Sequence, residues 1–229
     1  VYTCSGGLHG IGISAVCALS EFMRVEVKRD GYLWAQEYSR GKPLTKLMKL
    51  QKTQETGTSV LFQPDSEIFR KISFDEKKIL KFLRQQAFLN PSLKIVFINK
   101  TKSPQKTFTF YFEGGILSYV KYLTKQSKPI HENVFYTKGE REGIIVEAAL
   151  KYTDEYETFE ESFANNVFTP EGGTHLTGFR TALTKTLNEF ARKRGFLTEK
   201  DENLSGEDVR EGLTAVVSIK IREPQFEGQ

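Results

Sequence analysis

Apolar residues recur along this chain in two rhythms, and each rhythm predicts its own kind of element. The run Ile13-Ser14-Ala15-Val16-Cys17-Ala18-Leu19 is small and apolar and predicts a buried helix. Residues 24–28 then alternate, and Asp30-Gly31 is a hairpin signal ahead of Tyr32-Leu33-Trp34-Ala35. Gly57–Phe62 predicts another strand, stopped by Pro64. Over residues 75–89 the period changes to that of a helix, with Ile79, Leu80, Phe82, Leu83 and Phe88 on one side and Asp75 placed as N-cap. Leu93–Asn99 and Thr107–Phe112 predict a strand pair. After Glu113-Gly114-Gly115 breaks the pattern, the chain predicts a helix over 116–125 and strands near 143–152 and 157–164, joined by the acidic turn Thr153-Asp154-Glu155-Tyr156. A long helix follows over 174–194, with Leu176, Phe179, Leu183, Leu187 and Phe190 on one stripe. Ser205-Gly206-Glu207-Asp208 opens a short helix, and Leu213–Ile221 is a β-branched strand. The fold class is therefore α+β.

Composition narrows this picture. The 229 residues allow one large domain or two small ones. The 18 Phe and 9 Tyr exclude a disordered chain. No apolar run reaches the roughly 18–20 residues of a membrane-spanning helix. The net charge of +4 says little, but its distribution says more. Residues 1–112 carry 18 Lys/Arg against 9 Asp/Glu, and residues 113–229 carry 15 against 20. The sign change coincides with the Glu-Gly-Gly break, which places a domain boundary at residues 112–113. Cys4 and Cys17 form no zinc-type pair, and with His9, His131 and His175 they supply no metal quartet. A reduced thiol pair fits a cytoplasmic protein. The chain opens without an initiator Met directly into a glycine-rich stretch, and the expectation is a piece of something longer.

Gly7-Leu8-His9-Gly10-Ile11-Gly12 is a loop running straight into a helix. Glycines allow backbone N–H groups to approach an anion, and the helix N-terminus adds free donors and partial positive charge. The loop is physically a phosphate cradle. It lacks the Lys-Ser/Thr ending of a Walker A loop, and no strand precedes it as a dinucleotide fingerprint requires. A tight turn with close helix packing accounts for the glycines equally well.

The wider sequence decides between these readings. Ser5-Gly6-Gly7-Leu8-His9-Gly10-Ile11-Gly12-Ile13-Ser14 resembles the ATP-binding motif of the ATPase subunits of type IIA DNA topoisomerases, the B subunits of gyrase and topoisomerase IV. The likeness continues through Thr56–Phe62, Phe112–Ile116, Glu171–Arg180, Glu207–Ser218 and Pro224–Gln229, in the family's order across nearly the whole chain. The Glu-Gly-Gly and Glu-Asp-Val-Arg-Glu-Gly segments look somewhat more like gyrase than topoisomerase IV. A Bergerat-fold clamp without topoisomerase chemistry is the reading from another class; such relatives lack the Glu-Gly-Gly-Thr-His and Pro-Gln-Phe-Glu-Gly-Gln segments.

The resemblance implies that residues 1–112 are the C-terminal half of a Bergerat-type (GHKL) ATPase domain. Residues 113–229 correspond to a transducer domain with a ribosomal-protein-S5-like fold, cut at its C-terminus. It implies that Gly7, Leu8, His9, Gly10, Ile11 and Gly12 hold the phosphates of ATP, that Thr58 supports the adenine pocket, and that Gln229 begins the loop that senses the γ-phosphate. The family's general base, its Mg²⁺ ligand and its adenine-binding Asp lie upstream, so this stretch alone is expected to hydrolyse almost no ATP, and no catalytic or metal residue is assigned within it. The implied partners are double-stranded DNA, bound without sequence preference, the A subunit of gyrase or topoisomerase IV, and a second copy of this chain, with which it dimerises on ATP binding.

Arg180 matches the arginine that lines the family's DNA cavity. The long helix also carries Lys185, Arg192, Lys193 and Arg194. At 100° per residue, Arg180 and Arg194 share one direction, and Lys185 and Arg192 lie about 120–140° away. The basic residues thus form no single stripe, and those at 192–194 suit the negative end of the helix dipole.

Overall fold

The computed structural model describes Cys4, Gly6, Gly7 and residues 10–227. These fall into two compact units, one spanning Gly7–Asp75 and the other Glu76 onward together with the residues before Gly7. The expected boundary at residues 112–113 lies within the second unit.

The first unit is a sheet with one short helix. Helix α1 (Gly12–Ala18) leads into β1 (Ser20–Arg29), β2 (Tyr32–Ser39), β3 (Lys42–Pro43), β4 (Met48–Lys52) and β5 (Gly57–Pro64). The strand order is β3-β2-β1-β5, with β4 also pairing β2, and all pairings are antiparallel. Two-residue turns close the first two hairpins: Asp30-Gly31 joins β1 to β2 and Arg40-Gly41 joins β2 to β3. All four of these residues have positive φ, the geometry that matches the right-handed strand twist. Helix α1 forms where the sequence predicts it, but none of its residues is buried among the described residues. It leans on β1 and β2 through small side chains, and its apolar Ile13 stays 53% exposed.

The second unit is built on β12 (Leu213–Lys220). Its elements are α2 (Glu76–Leu89), β6 (Ile95–Asn99), β7 (Lys106–Phe110), α3 (Gly115–Leu123), β8 (Phe135–Arg141), β9 (Ile144–Tyr152), β10 (Phe159–Ala164), β11 (Val167–Phe168), α4 (Thr174–Lys193), α5 (Gly206–Arg210) and β12. Strands β6 and β7 form the predicted antiparallel pair by themselves. The main sheet runs β11-β10-β12-β9-β8. Strands β9 and β10, consecutive in sequence, are not paired: β12 inserts between them, parallel to β10 and antiparallel to β9. A parallel pair needs a crossover, and β11, α4 and α5 supply it.

Both faces of β12 are covered. On one, Phe88, Leu89, Ile116, Tyr119 and Val120 of α2 and α3 pack with Ala149, Phe163 and Val216. On the other, Leu176, Phe179 and Leu183 of α4 meet Ala148, Leu150, Leu213, Ala215 and Val217. Phe88 is almost wholly buried and stacks on Phe112 and Tyr119 with ring centroids 3.8 and 4.7 Å away. Because the C-terminal turn of α2 sits in this core, the compact unit starts at Glu76. The stripe on α4 holds from Leu176 to Leu183 and then leaves the sheet; Phe190 is exposed and lies beside Phe196.

Gly212 shows why the entry to β12 is fixed. It has φ +69°, and a Cβ there would lie 2.5 Å from the Thr153 carbonyl oxygen and 2.7 Å from that of Glu155. Thr153 N–H in turn donates to the Gly212 carbonyl. The acidic turn therefore packs against the start of β12 and does not close a hairpin. Truncating the central ring should be costly: Phe88→Ala is expected to lose about 3–5 kcal/mol of unfolding free energy, and Phe190→Ala under about 1 kcal/mol. Urea unfolding of the two variants checks the contrast.

Candidate functional site

The glycine loop leaves α1 without an N-cap. Ile11 occupies the cap position in a helical conformation, and no side chain bonds to the helix start. The opening N–H groups of α1 therefore lack the side-chain partner that most helices supply. Gly10 has φ +63° and nothing within 4 Å of the position a Cβ would take, and Gly7, Gly10, Ile11 and Gly12 are exposed. An exposed, uncapped helix start behind a left-handed glycine is a geometry that receives an anion. Leu8 and His9 lie outside the described residues.

Thr58 sits near the start of β5, the end strand of its sheet, in register with Val27 of β1. It is exposed, and its hydroxyl makes no hydrogen bond among the described residues. The first unit thus holds Gly7, Gly10, Ile11, Gly12 and Thr58, and no hydrogen bond joins Thr58 to the loop among the described residues. Among the same residues no group of three His, Cys, Asp or Glu could hold a metal ion, and Cys4 and Cys17 are free thiols. Glu26 and Glu37 both pair with Arg24, and Glu21 bonds to Gln63 and Ser66.

The ion pair that ties the glycine-loop helix to its sheet was not anticipated. Asp65 is buried and accepts from Arg40 Nε at 2.6 Å and Nη2 at 3.2 Å, and from the Glu67 N–H at 2.9 Å. Arg40 also pairs with Glu67 at 2.8 Å. The Asp65 N–H donates to the Leu19 carbonyl and the Arg40 N–H to that of Ser20, so the pair fixes the chain where α1 passes into β1. The Arg40 guanidinium holds the Asp65 carboxyl below the usual carboxylate range. The only sequence signal was a Pro-Asp after a strand, which reads as a turn.

Arg180 lies in the second unit, on α4. Its Nε donates to Glu160 Oε2 at 2.9 Å, and Nη2 also bonds to that oxygen. The Glu160 side chain is 5% exposed, and its other oxygen has no partner among the described residues. This pairing holds the arginine charged, its pKa raised above the ordinary value by the hydrogen bond to Glu160. It also offsets much of the positive charge that Arg180 would present to a ligand. At the start of the same helix, Thr169 Oγ1 donates to the Ser162 carbonyl at 2.8 Å, so His175 Nε2, 3.2 Å from that hydroxyl, is assigned as the donor. Burial pushes the His175 pKa down and keeps the ring neutral. Gln229 lies outside the described residues.

The basic residues of α4 do not separate as their angular positions suggested. Arg180, Lys185 and Arg192 line one groove together with Arg210 of α5, because α5 folds back against the helix and long side chains lean into the gap.

This two-unit arrangement belongs with the ATPase regions of type IIA topoisomerases. The structure superposes on the 43K ATPase domain of Thermus thermophilus gyrase B, solved with an aminocoumarin, with a TM-score of 0.84 and 39% identity, covering 96% of this chain and 60% of that one. It superposes on the ATP-binding domain of Francisella tularensis topoisomerase IV, solved with a small-molecule inhibitor, with a TM-score of 0.81 and 26% identity, covering 98% and 61%. Residues 115–229 match the family model described as DNA gyrase B. The chain is 48% identical over its full length to the DNA gyrase B subunit of Clostridium acetobutylicum, of which it spans 36%, and 48% identical to that of Bacillus mycoides, of which it spans 56%. The chain belongs to the DNA gyrase B family, and it spans about a third to a half of the length of these relatives.

Asp65 yields a pH prediction. Its folded pKa is depressed, so its contribution to stability is present above the unfolded value near 4 and is lost as pH falls through the folded value. Asp65→Asn should lower the melting temperature at pH 7, and the gap from wild type should close as pH falls below the folded value. Melting curves followed downward from pH 7 test this. Arg180→Gln should cost about 1–2 kcal/mol, because it leaves the buried Glu160 unpaired while solvent reaches the site, and adding Glu160→Gln should recover part of it.

Proposed function

We propose that this chain is the phosphate-binding and transducing section of an ATP-driven type IIA topoisomerase subunit of the gyrase kind. The uncapped, glycine-led start of α1 is the observation that carries the reading, because it supplies backbone donors without a side chain that would compete for them. Gly7, Leu8, His9, Gly10, Ile11 and Gly12 take the phosphates of ATP, and Thr58 supports the adenine pocket from β5. Gln229 opens the loop that meets the γ-phosphate. Mg²⁺ accompanies the nucleotide.

The domain boundary of the family falls at residues 112–113. The family match beginning at residue 115 supports this, with α2, β6 and β7 belonging to the ATPase side and the end of α2 packing against the transducer sheet. Strand passage through double-stranded DNA, partnership with the gyrase A subunit, dimerisation on ATP binding and a cytoplasmic setting complete the proposal. Among the described residues no helix is long and apolar enough to cross a membrane. Arg180 contacts DNA phosphates, with Glu160 holding its guanidinium in place.

The intact protein tests the reading. ATP hydrolysis, followed by phosphate release, should be stimulated by DNA. Together with the gyrase A subunit, the protein should supercoil relaxed closed-circular DNA. Gly10→Val forces a β-branched residue to φ near +63° and should weaken ATP binding at least about tenfold. Thr58→Val should raise the KM for ATP about tenfold, the loss of one hydrogen bond of about 1.4 kcal/mol. Wild-type ATP turnover in both variants would refute the site.

A further inference from the structure

Between α4 and α5 the second unit opens a groove of about 640 Å³. Thr184 and Asn188 of α4 contribute to it, as does Gly206 at the first turn of α5, and Arg180, Lys185, Arg192 and Arg210 surround it. Leu204 is its one large apolar lining residue, and Glu189 its one acid.

Three of these cations are already engaged. Arg180 is held by Glu160. Arg192 donates to the Thr198 and Asp201 carbonyls and to Asn203 Oδ1, which staples the loop after α4 onto the helix. Lys185 lies 3.8 Å from Glu189, one turn along. Arg210 differs: among the described residues its guanidinium has neither a hydrogen bond nor an ion pair, although the residue is half-buried.

The backbone that carries Arg210 is clamped at both ends of α5. Asn188 bonds to both the N–H and the carbonyl of Leu204, and Ser205 and Asp208 form a reciprocal capping box. Tyr152 Oη donates to the Val209 carbonyl at 2.7 Å, and Thr158 Oγ1 to that of Arg210 at 2.7 Å. Gly206 then leaves room for the side chain itself. A Cβ at that position would lie 2.9 Å from Arg210 Nη1 and 3.8 Å from Thr184 Oγ1, so any other residue there would crowd the guanidinium.

We propose that Arg210, seated over Gly206, is a direct phosphate contact for duplex DNA in this groove, beside Arg180. The inference rests on the DNA reading given above and adds to it. A planar guanidinium with all its donors unspent matches a phosphodiester oxygen pair. The groove offers a peptide little apolar footing beyond Leu204, whereas a phosphate backbone needs none. The two arginines play different parts. Arg180 is partly neutralised by Glu160 and supplies oriented donors; Arg210 forms no ion pair among the described residues and supplies net charge. Counterion release upon DNA binding follows net charge, so Arg210 controls the salt dependence.

The test uses the intact protein. The duplex DNA concentration that half-maximally stimulates ATP hydrolysis is measured from about 50 to 300 mM KCl, a range over which phosphate contacts register clearly. Arg210→Gln should reduce the logarithmic salt slope by about one and weaken DNA about eightfold at 0.1 M salt, with the melting temperature unchanged. Arg210→Lys should restore most of the slope. Gly206→Ala should weaken DNA in the same direction, by displacing the guanidinium. A wild-type slope in Arg210→Gln would overturn the proposal and leave the DNA reading standing; absence of DNA stimulation in the wild type would overturn both.

Discussion

The second unit depends on one constraint: β12 is buried on both faces and hydrogen-bonded on both edges. Leu213, Ala215 and Val217 point to α4, and Val216 points to α2 and α3. A strand in that position cannot pair in parallel with β10 unless the chain crosses over one face. The crossover is α4 with α5, and its inner side is apolar because the sheet requires it. Its remaining surface is then free to be polar, and the groove lined by Arg180 and Arg210 opens there, between α4 and α5. The proposed DNA surface is thus a by-product of where the central strand lies.

Buried polar groups in this unit serve the same arrangement. Glu161 is buried and accepts from Tyr119 Oη at 2.6 Å and from Gln85 Nε2 at 3.1 Å, joining α3 and α2 to β10. Its neighbour Glu160, pointing to the opposite side of the strand, holds Arg180. Adjacent carboxylates on one strand thus reach a structural network and a proposed ligand-facing arginine, as the two-residue period of a strand requires. In the first unit Asp65 has the corresponding part, since the strand end that holds it also receives the chain leaving α1.

Local signals in the sequence were strong where a single turn or period carried them. Asp30-Gly31 read as a hairpin, and it is one. Arg40-Gly41, Glu142-Gly143 and Asn165-Asn166 close three more two-residue hairpins with the same positive φ values, and each carried a weaker form of the same signal. Strand β8 leaves no alternating signal in the sequence because Phe135–Arg141 lies wholly exposed and has no buried face to impose one. The helix stripe on α4 held for two turns, from Leu176 to Leu183; Phe190 fits the same period but is exposed.

The sequence alone determined the family, through motifs whose order survives without any fold, and it determined the glycine-led helix start, because φ > 0 and a missing cap are local properties. Tertiary structure alone decided that β9 and β10 are separated by β12, that α2 belongs to the core of the second unit, and that Arg210 shares a groove with Arg180. Residues 30 positions apart meet there because α5 folds back on α4, a long-range packing event with no local trace. The pairing of Arg180 with Glu160 was hidden for the same reason. A charge shows its sign in sequence, but whether another charge cancels it depends on which side chains the fold brings together.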